Sequence, residues 1–255
     1  MKRYCIAFAF VVVTAITMHT PAQDVQDAND HTKWSYQGEV GPDHWGDLKA
    51  EYSACKTGKE QSPIDIRDPK KADLQPIRFD YKSTPLKIIN NGHTIQVNYA
   101  PGSFITVGDN HYELKQFHFH HPSEERINGQ LYDMVVHLVH ADNDGKLAVV
   151  AVLLKKGSSN RALDEIWMHF PKVAGEERVI AGVQINATAL LPHATAYYTY
   201  DGSLTTPPCT EGVTWLVLKT PRVISTDQID SFAKIFPNNA RPIQPVNGRV
   251  VKESR

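Results

Sequence analysis

Six residues beginning at Gln116, Gln-Phe-His-Phe-His-His, restrict the fold more than any other segment of the sequence. In an extended strand, side chains two positions apart point to the same face, so His118 and His120 lie together while the two phenylalanines point to the other face. A second segment, Val-Val-His-Leu-Val-His, carries His137. If the two strands pair antiparallel, three imidazoles meet and leave a fourth position open, which is the ligand set of a catalytic zinc site.

A histidine on a strand also has commoner uses than binding a metal. It can cap a core or bond to a backbone carbonyl, and a His-x-His pair alone does not exclude these structural uses. The third histidine favours the metal site but leaves the structural reading open. His121 and His140 are offset by odd spacings from the ligand face, so we interpret both as structural.

Length and composition suit one globular unit. The chain has 255 residues, and its 41% hydrophobic content is enough for a sizeable core. No linker, repeat or composition shift divides it, so a single domain is the simplest interpretation. The net charge of -1 is not concentrated in basic clusters. Nucleic acid and anionic membrane surfaces are therefore not expected partners.

The first residues have the pattern of a secretory signal peptide. Two basic residues follow Met1, an almost continuous apolar run extends to Met18, and small residues surround Ala22. We predict a signal peptide over residues 1–22, a flexible lead-in over 23–33, and a periplasmic or secreted protein. The apolar run is short for a full span, so we expect no stable membrane anchor, although an uncleaved anchor is the alternative.

Export changes how the three cysteines are interpreted. Cys5 would leave with the signal peptide, so that Cys55 and Cys209 remain as one pair in an oxidising compartment. A disulfide between them would close a long loop and stabilise the fold. Two free buried thiols are the alternative.

Short alternating apolar segments bounded by turn residues predict a mainly β fold. The predicted strands are 86–89, 93–98, 104–107, 112–121, 133–140, 147–155, 196–200 and 213–219. Two surface helices are also predicted. One carries apolar residues at helical spacing, namely Leu163, Ile166, Trp167 and Phe170. The other begins with a capping box formed by Ser225 and Gln228.

Several short motifs occur together in a set order. They are residues 61–64 (Gln-Ser-Pro-Ile), 91–93 (Asn-Gly-His), 116–120, 122–124 (Pro-Ser-Glu), 200–209 (Tyr-Asp-Gly-Ser-Leu-Thr-Thr-Pro-Pro-Cys) and 211–215 (Glu-Gly-Val-Thr-Trp). With these motifs the chain resembles the α-class carbonic anhydrases of the secreted bacterial type. The resemblance implies a catalytic domain over residues 34–255, built as a large twisted mixed β-sheet with a conical active-site cleft. It also implies reversible hydration of carbon dioxide to bicarbonate and a proton through a zinc-bound hydroxide.

The resemblance assigns roles to matching residues. His118, His120 and His137 match the Zn2+ ligands, and Gln116 is the expected partner of His118. Thr205 and Glu124 match the pair that orients the hydroxide. His93 matches the residue that carries protons to buffer, although its position beside Asn91 would otherwise suggest a surface turn residue.

Further matches concern the substrate and the surroundings of the metal. The apolar wall for carbon dioxide is matched by Val139, Val149, Leu204, Val213 and Trp215. Thr206 matches a hydroxyl near bicarbonate. The position of the family's water chain is lined by Tyr36, Asn91 and Gln96. Cys55 and Cys209 match the disulfide of the bacterial members.

Two positions depart from the family pattern. Val135 stands where a glutamate usually holds the third ligand, so we expect weaker zinc retention or a slower enzyme, because such partners are worth about 10 to 100-fold. Glu125 stands where many members have a histidine and adds negative charge beside Glu124.

Two other functions stay open: a non-catalytic zinc-binding module and a metal hydrolase acting on esters. A homodimer also stays open.

Overall fold

Strands dominate the computed structural model, which describes residues 34–255. Within this range the strands are β1 (Asp65–Ile66), β2 (Lys70–Ala72), β3 (Arg78–Asp80), β4 (Thr84–Asn90), β5 (Ile95–Asn98), β6 (Phe104–Val107), β7 (Asn110–His120), β8 (Arg126–Ile127), β9 (Met134–Ala141), β10 (Leu147–Lys156), β11 (Arg178–Ile185), β12 (Tyr197–Ser203), β13 (Glu211–Leu218), β14 (Arg222–Ile224) and β15 (Lys252–Ser254). The helices are α1 (Trp45–Leu48), α2 (Ala54–Thr57), α3 (Asp164–His169) and α4 (Thr226–Ala233). Turns of 3-10 helix span Gly38–Val40, Ala50–Tyr52, Arg161–Leu163 and Ala187–Leu190.

Thirteen of the described strands form one large, twisted, mixed sheet. Its main path has the order β11-β4-β5-β7-β9-β10-β13-β12-β15-β2, while β3 and β6 pair beside β7 and β14 pairs with β10. Most neighbours are antiparallel, but β10 runs parallel to β13 and β14, and β15 runs parallel to β2. A separate parallel pair consists of β1 and β8. The predicted fold class is confirmed.

All eight predicted strands correspond to observed strands, and β6 has the predicted bounds. Most of the remaining described strands contain two or three residues, which is too short for an alternating pattern to be recognised. The longer β11 was also not predicted. It is largely exposed and buries a side chain only at Ile185, so its sequence carries no apolar alternation.

The central strands are buried on both faces. On β10, Ala148 and Val150 point into one apolar cluster, while Val149 and Ala151 point into another on the opposite face. This explains the continuous apolar sequence of β10, because no face of the strand meets water. The phenylalanines of β7 lie in the first cluster. His118 and His120, which alternate with them, therefore face the second cluster.

Both predicted helices form, with one correction. The capping box before α4 is present, since Ser225 and Gln228 each accept a hydrogen bond from the other's backbone N–H. The other segment begins as a 3-10 turn capped by Asn160 and continues as α3. Phe170 lies beyond the end of α3 in extended backbone. It still packs against the core, which accounts for its apolar character.

The first described residues pack around the disulfide. Trp34, Trp45 and Tyr52 pack with Cys209 in a third apolar cluster. Cys209 forms the predicted disulfide with Cys55, across a sequence separation of 154 residues. The signal peptide predicted over 1–22 and the lead-in over 23–33 lie outside the described residues. Among residues 34–255, none of the helices has the length and apolarity needed to cross a membrane.

His140 forms a buried pair with Tyr81 on the sheet face opposite His137. Its Nε2 lies 2.8 Å from the Tyr81 hydroxyl oxygen, and its Nδ1 lies 3.3 Å from the carbonyl oxygen of Ala148. Burial lowers the pKa of His140 to about 3, against the opposing effect of backbone hydrogen bonds. The ring is therefore neutral: Nδ1–H donates to Ala148 and Nε2 accepts from Tyr81.

His140→Gln is expected to make the free energy of unfolding less dependent on pH under acidic conditions. The unfolded chain has an ordinary histidine pKa near ~6.5, so between about pH 6.5 and 3 it binds the proton that the folded state rejects. The free energy of unfolding therefore decreases as the pH is lowered, and near pH 4.5 the buried histidine reduces it by about 2.5 kcal/mol. Urea unfolding near pH 7 and pH 4.5 measures the difference. The exposed His193→Gln is the control, and an unchanged pH dependence in His140→Gln would contradict the assignment.

Candidate metal centre

Three imidazoles meet where β7 and β9 pair. His118 lies directly opposite His137 in the register. The ring centroids are separated by 5.0 Å between His118 and His120, 5.5 Å between His118 and His137, and 4.8 Å between His120 and His137. One ring nitrogen from each residue lies within 4.8 Å of the others. The predicted convergence of the three histidines is confirmed.

Two of the rings are held through Nδ1. His118 Nδ1 lies 2.8 Å from the side-chain oxygen of Gln116, as predicted, and His120 Nδ1 lies 2.7 Å from the carbonyl oxygen of Asn239. Both acceptors are oxygen atoms, so each Nδ1 carries the proton. The lone pair on each Nε2 is then available at the point where the three rings meet.

His137 is held through the opposite nitrogen. Its Nε2 lies 3.0 Å from Glu125 Oε1, and both side chains are buried. The expectation that Val135 leaves His137 without a carboxylate partner is wrong, because Glu125 reaches the ring from the loop after β7. The sequence showed an additional acidic residue at position 125 but not which way its side chain points.

The triad fits a divalent metal ion. Burial, together with charge repulsion within the triad, lowers the pKa of His118 to about 3 and that of His120 well below its ordinary value, so both are neutral as metal ligands must be. His120 Nε2 is buried and has no hydrogen-bond partner among the described residues. An unpaired buried nitrogen is costly, and a cation between the rings would satisfy it.

Glu124 lies against the triad. Its Oε2 is 3.5 Å from His120 Nε2 and 3.8 Å from His137 Nδ1. Its other oxygen, Oε1, accepts a hydrogen bond of 2.8 Å from the backbone N–H of Arg241. The carboxylate is thus fixed beside one ring nitrogen of His120 and one of His137.

The environment of Glu124 raises its pKa to about 7. Burial is the largest cause. The positive charge that His137 carries when protonated lowers this pKa, the charge of Glu125 raises it, and a hydrogen bond from the Thr205 hydroxyl lowers it again. Thr205, which is itself buried, therefore lies against Glu124 as the resemblance implied.

The predicted apolar wall forms part of one cluster beside the triad. It comprises Val139, Val149, Leu204, Val213 and Trp215. Val149 on β10 lies opposite Val139 on β9 and beside Trp215 on β13. The Trp215 ring centroid is 4.9 Å from that of His137. The sheet therefore places a dry surface directly next to the histidines.

The remaining predicted residues lie around this centre. His93 is partly exposed in the β4–β5 turn, and its ring stacks on Trp34 at a centroid distance of 3.7 Å. The Asn91 side-chain amide is 3.4 Å from Gln96 Oε1, and Gln96 pairs with His118 in the sheet.

Among residues 34–255, two predicted residues form neither a hydrogen bond nor a ring contact with the three histidines, although the charge of Glu124 contributes to raising the pKa of Tyr36 after burial, the larger cause. Tyr36 packs edge-on against Trp34, at a centroid distance of 5.4 Å. Thr206 is partly exposed, and its carbonyl accepts from the Cys209 N–H.

Two residues that sequence reasoning missed hold the centre together. The Asn239 side chain donates to the carbonyls of His93 and Phe119, and its carbonyl accepts from His120. Arg241 fixes Glu124 through its backbone N–H. Neither contact leaves a signal in the sequence, because a backbone group at any residue type could make the bond to the site.

Comparison with known proteins gives one consistent result. The family model described as eukaryotic-type carbonic anhydrase matches residues 40–255. A carbonic anhydrase of Nostoc sp. is 45% identical over 226 residues, which are 87% of this chain and 86% of the relative.

Solved structures agree. A hyperthermostable carbonic anhydrase identified from an active hydrothermal vent chimney is 50% identical with a TM-score of 0.84, covering 87% of this chain and 100% of that one. The α-carbonic anhydrase of Thermovibrio ammonificans, in complex with the inhibitor sulfanilamide, is 44% identical with a TM-score of 0.83. There the match covers 87% of this chain and 98% of that one.

Proposed function

The chain belongs to the eukaryotic-type carbonic anhydrase family, and from this premise we propose that it is a zinc enzyme. The proposed reaction is the reversible hydration of carbon dioxide to bicarbonate and a proton. The observation that carries the proposal is the convergence of His118, His120 and His137 within 4.8 Å beside a buried apolar wall. The catalytic domain is proposed to comprise residues 34–255.

His118, His120 and His137 would hold zinc, which would acidify a water molecule enough to supply a nucleophile near neutral pH, as is established for carbonic anhydrases. The protein residues then orient that nucleophile. An ionised Glu124 can only accept hydrogen bonds, so the Thr205 hydroxyl donates to it and keeps its own oxygen free to accept. The contact between Thr205 and Glu124 and the fixed position of Glu124 beneath Arg241 support this role.

Thr205→Val should lower kcat/KM for carbon dioxide hydration by about 10 to 100-fold, the range expected when an orienting partner is lost. Zinc content should not change, because Thr205 is not among the proposed ligands. Stopped-flow hydration and metal analysis on the same sample measure both quantities. Thr210→Val, at an exposed position in the same loop, is the matched control. A Thr205→Val enzyme with wild-type kcat/KM would exclude the orienting role.

The substrate requires only an apolar surface next to the nucleophile, because carbon dioxide is uncharged. The wall of Val139, Val149, Leu204, Val213 and Trp215 supplies that surface. Thr206 is proposed to contact the bicarbonate product from the rim. Together these residues bring a hydrophobic gas to the metal while keeping bulk water away from one side of it.

His93 is proposed to pass the released proton to buffer. A histidine can accept and release a proton near neutral pH, and its partly exposed position at the β4–β5 turn gives it access to solvent. Tyr36, Asn91 and Gln96 are proposed to line the water path between His93 and the metal. The hydrogen-bonding contact between Asn91 and Gln96 supports this placement.

One preparation of the wild-type protein tests the function. We expect about one zinc ion per chain, as a three-histidine site implies. We also expect carbon dioxide hydration to be far faster than hydrolysis of 4-nitrophenyl acetate. Zinc without hydration would instead favour a non-catalytic binding module. Ester hydrolysis far above hydration would favour a metal hydrolase.

Export to the periplasm or the extracellular space is proposed from two features. The sequence of residues 1–22 has the pattern of a signal peptide. The disulfide between Cys55 and Cys209 suits an oxidising compartment.

A further inference from the structure

We propose that Glu125 positions His137 for metal binding, in place of the strand glutamate that the family pattern puts at position 135. The two departures in the sequence are then one exchange, in which the carboxylate moves from β9 to the loop between β7 and β8. This inference rests on the proposed zinc site. It replaces the expectation of weakened zinc retention with that of an intact site held by a different residue.

The geometry at His137 is the first support. Glu125 Oε1 lies 3.0 Å from Nε2, and neither side chain is more than 1% exposed. A carboxylate accepts hydrogen bonds, so Nε2 carries the proton, and in the neutral ring Nδ1 keeps its lone pair. That Nδ1 is directed toward Glu124 Oε2, which also lies near His120 Nε2. Glu125 thus selects the tautomer that presents the required nitrogen to a shared ion.

The backbone around Glu125 is fixed on both sides. The Ser123 hydroxyl donates to the Glu125 carbonyl at 2.9 Å and accepts from the Tyr132 N–H at 3.0 Å. The next residue, Arg126, donates its N–H to Ile64 at 3.3 Å and begins β8. The carboxylate therefore projects from a rigid loop and can hold an imidazole in one orientation.

The side chain at position 135 packs in the apolar core. Val135 is fully buried in the apolar cluster beside the triad, and its cross-strand neighbours are His120 on β7 and Leu153 on β10. It lies two residues before His137 on the same face of β9. A carboxylate there would add a third buried acidic group around an imidazole that Glu124 and Glu125 already flank.

The energetics of Glu125 point to a metal-related role. Its second oxygen, Oε2, is buried and has no hydrogen-bond partner among the described residues. A buried carboxylate with so few partners does not favour the folded state, because its desolvation is poorly compensated. In contrast, the other two ring partners, Gln116 and the Asn239 carbonyl, are neutral. Glu125 is thus the charged partner, which strengthens the ligand it holds.

The test measures zinc affinity by competition with a chelator, separately from activity. Glu125→Gln keeps an acceptor but removes the charge, and should raise the zinc dissociation constant by about 10-fold. Glu125→Leu removes both and should raise it by up to about 100-fold. The double variant Glu125→Leu/Val135→Glu should recover most of the affinity. Arg126→Gln, at the adjacent exposed position, is the matched control.

Thermal unfolding of the metal-free variants separates positioning from folding. We expect Glu125→Leu to unfold at or above the wild-type midpoint without zinc, and below it when zinc is present. Three results would overturn the proposal. Glu125→Leu could keep the wild-type zinc affinity, or the double variant could fail to recover affinity. The third is a lowered midpoint of the metal-free variant that accounts for its loss of zinc affinity. If the wild type hydrates carbon dioxide with bound zinc in those cases, only this inference fails. A wild type that binds no zinc overturns the proposed function as well.

Discussion

His118→Ala is expected to abolish zinc retention and carbon dioxide hydration together. His118 is the least buried of the three proposed ligands, and its removal leaves only His120 and His137 of the described histidine cluster to hold the proposed metal. Two imidazoles are fewer protein ligands than a catalytic zinc site uses. The loss of activity should exceed about 100-fold, the upper end of the cost of losing a ligand's hydrogen-bond partner. Metal analysis after dialysis and stopped-flow hydration measure the two effects.

His121→Ala is the matched control for this variant. His121 is the next histidine along the chain after His120, but its ring bonds to the carbonyl of Pro237 at 3.0 Å and does not enter the triad. We expect this variant to keep its zinc and most of its activity. Zinc loss in His121→Ala but not in His118→Ala would mean that the ligands have been misassigned.

Loss of the disulfide is expected to be the largest single stability effect. The double variant Cys55→Ser/Cys209→Ser should be about 2 to 5 kcal/mol less stable to unfolding, the range for removal of a native disulfide. The bond closes a loop of 154 residues in sequence separation, and Cys209 is fully buried. It ties α2 to the segment that precedes β13. Urea unfolding of both proteins measures the difference.

The same variant should also lose activity, because the loop that ends at Cys209 carries Thr205. The Gln61 side chain donates to the Cys209 carbonyl at 3.0 Å, so this loop is held from two directions. Reductant should lower the stability of the wild type to that of the variant and leave the variant unchanged. If the variant's free energy of unfolding lies within about 0.5 kcal/mol of the wild-type value, removing the disulfide has no more effect than an ordinary surface substitution.

The sequence predicted the ligand strands well because their chemistry and their periodicity coincide. His118 and His120 alternate with two buried phenylalanines, so one pattern indicated both the strand and the face that carries the histidines. The capping box at Ser225 is a similarly local signal, and the structure contains it. Local patterns of this kind are formed within a few residues and survive the tertiary fold.

Contacts made across the fold could not be predicted in the same way. Asn239 holds His120 from 119 residues away through its backbone carbonyl, which every residue type has. The contact between Glu125 and His137 was not predicted, for a related reason. The distance between Glu125 and His137 depends on how the loop after β7 folds back. The family pattern identified Val135 as a missing partner but did not show that Glu125 contacts His137.

The most direct test of the account is anomalous diffraction from crystals of the wild-type protein at the zinc absorption edge. We expect one peak about 2.0 to 2.1 Å from three ring nitrogens, namely Nε2 of His118, Nε2 of His120 and Nδ1 of His137. Glu125 should remain bonded to the opposite nitrogen of His137. Absence of a peak among these rings, or a zinc ion bound elsewhere, would contradict the central claim.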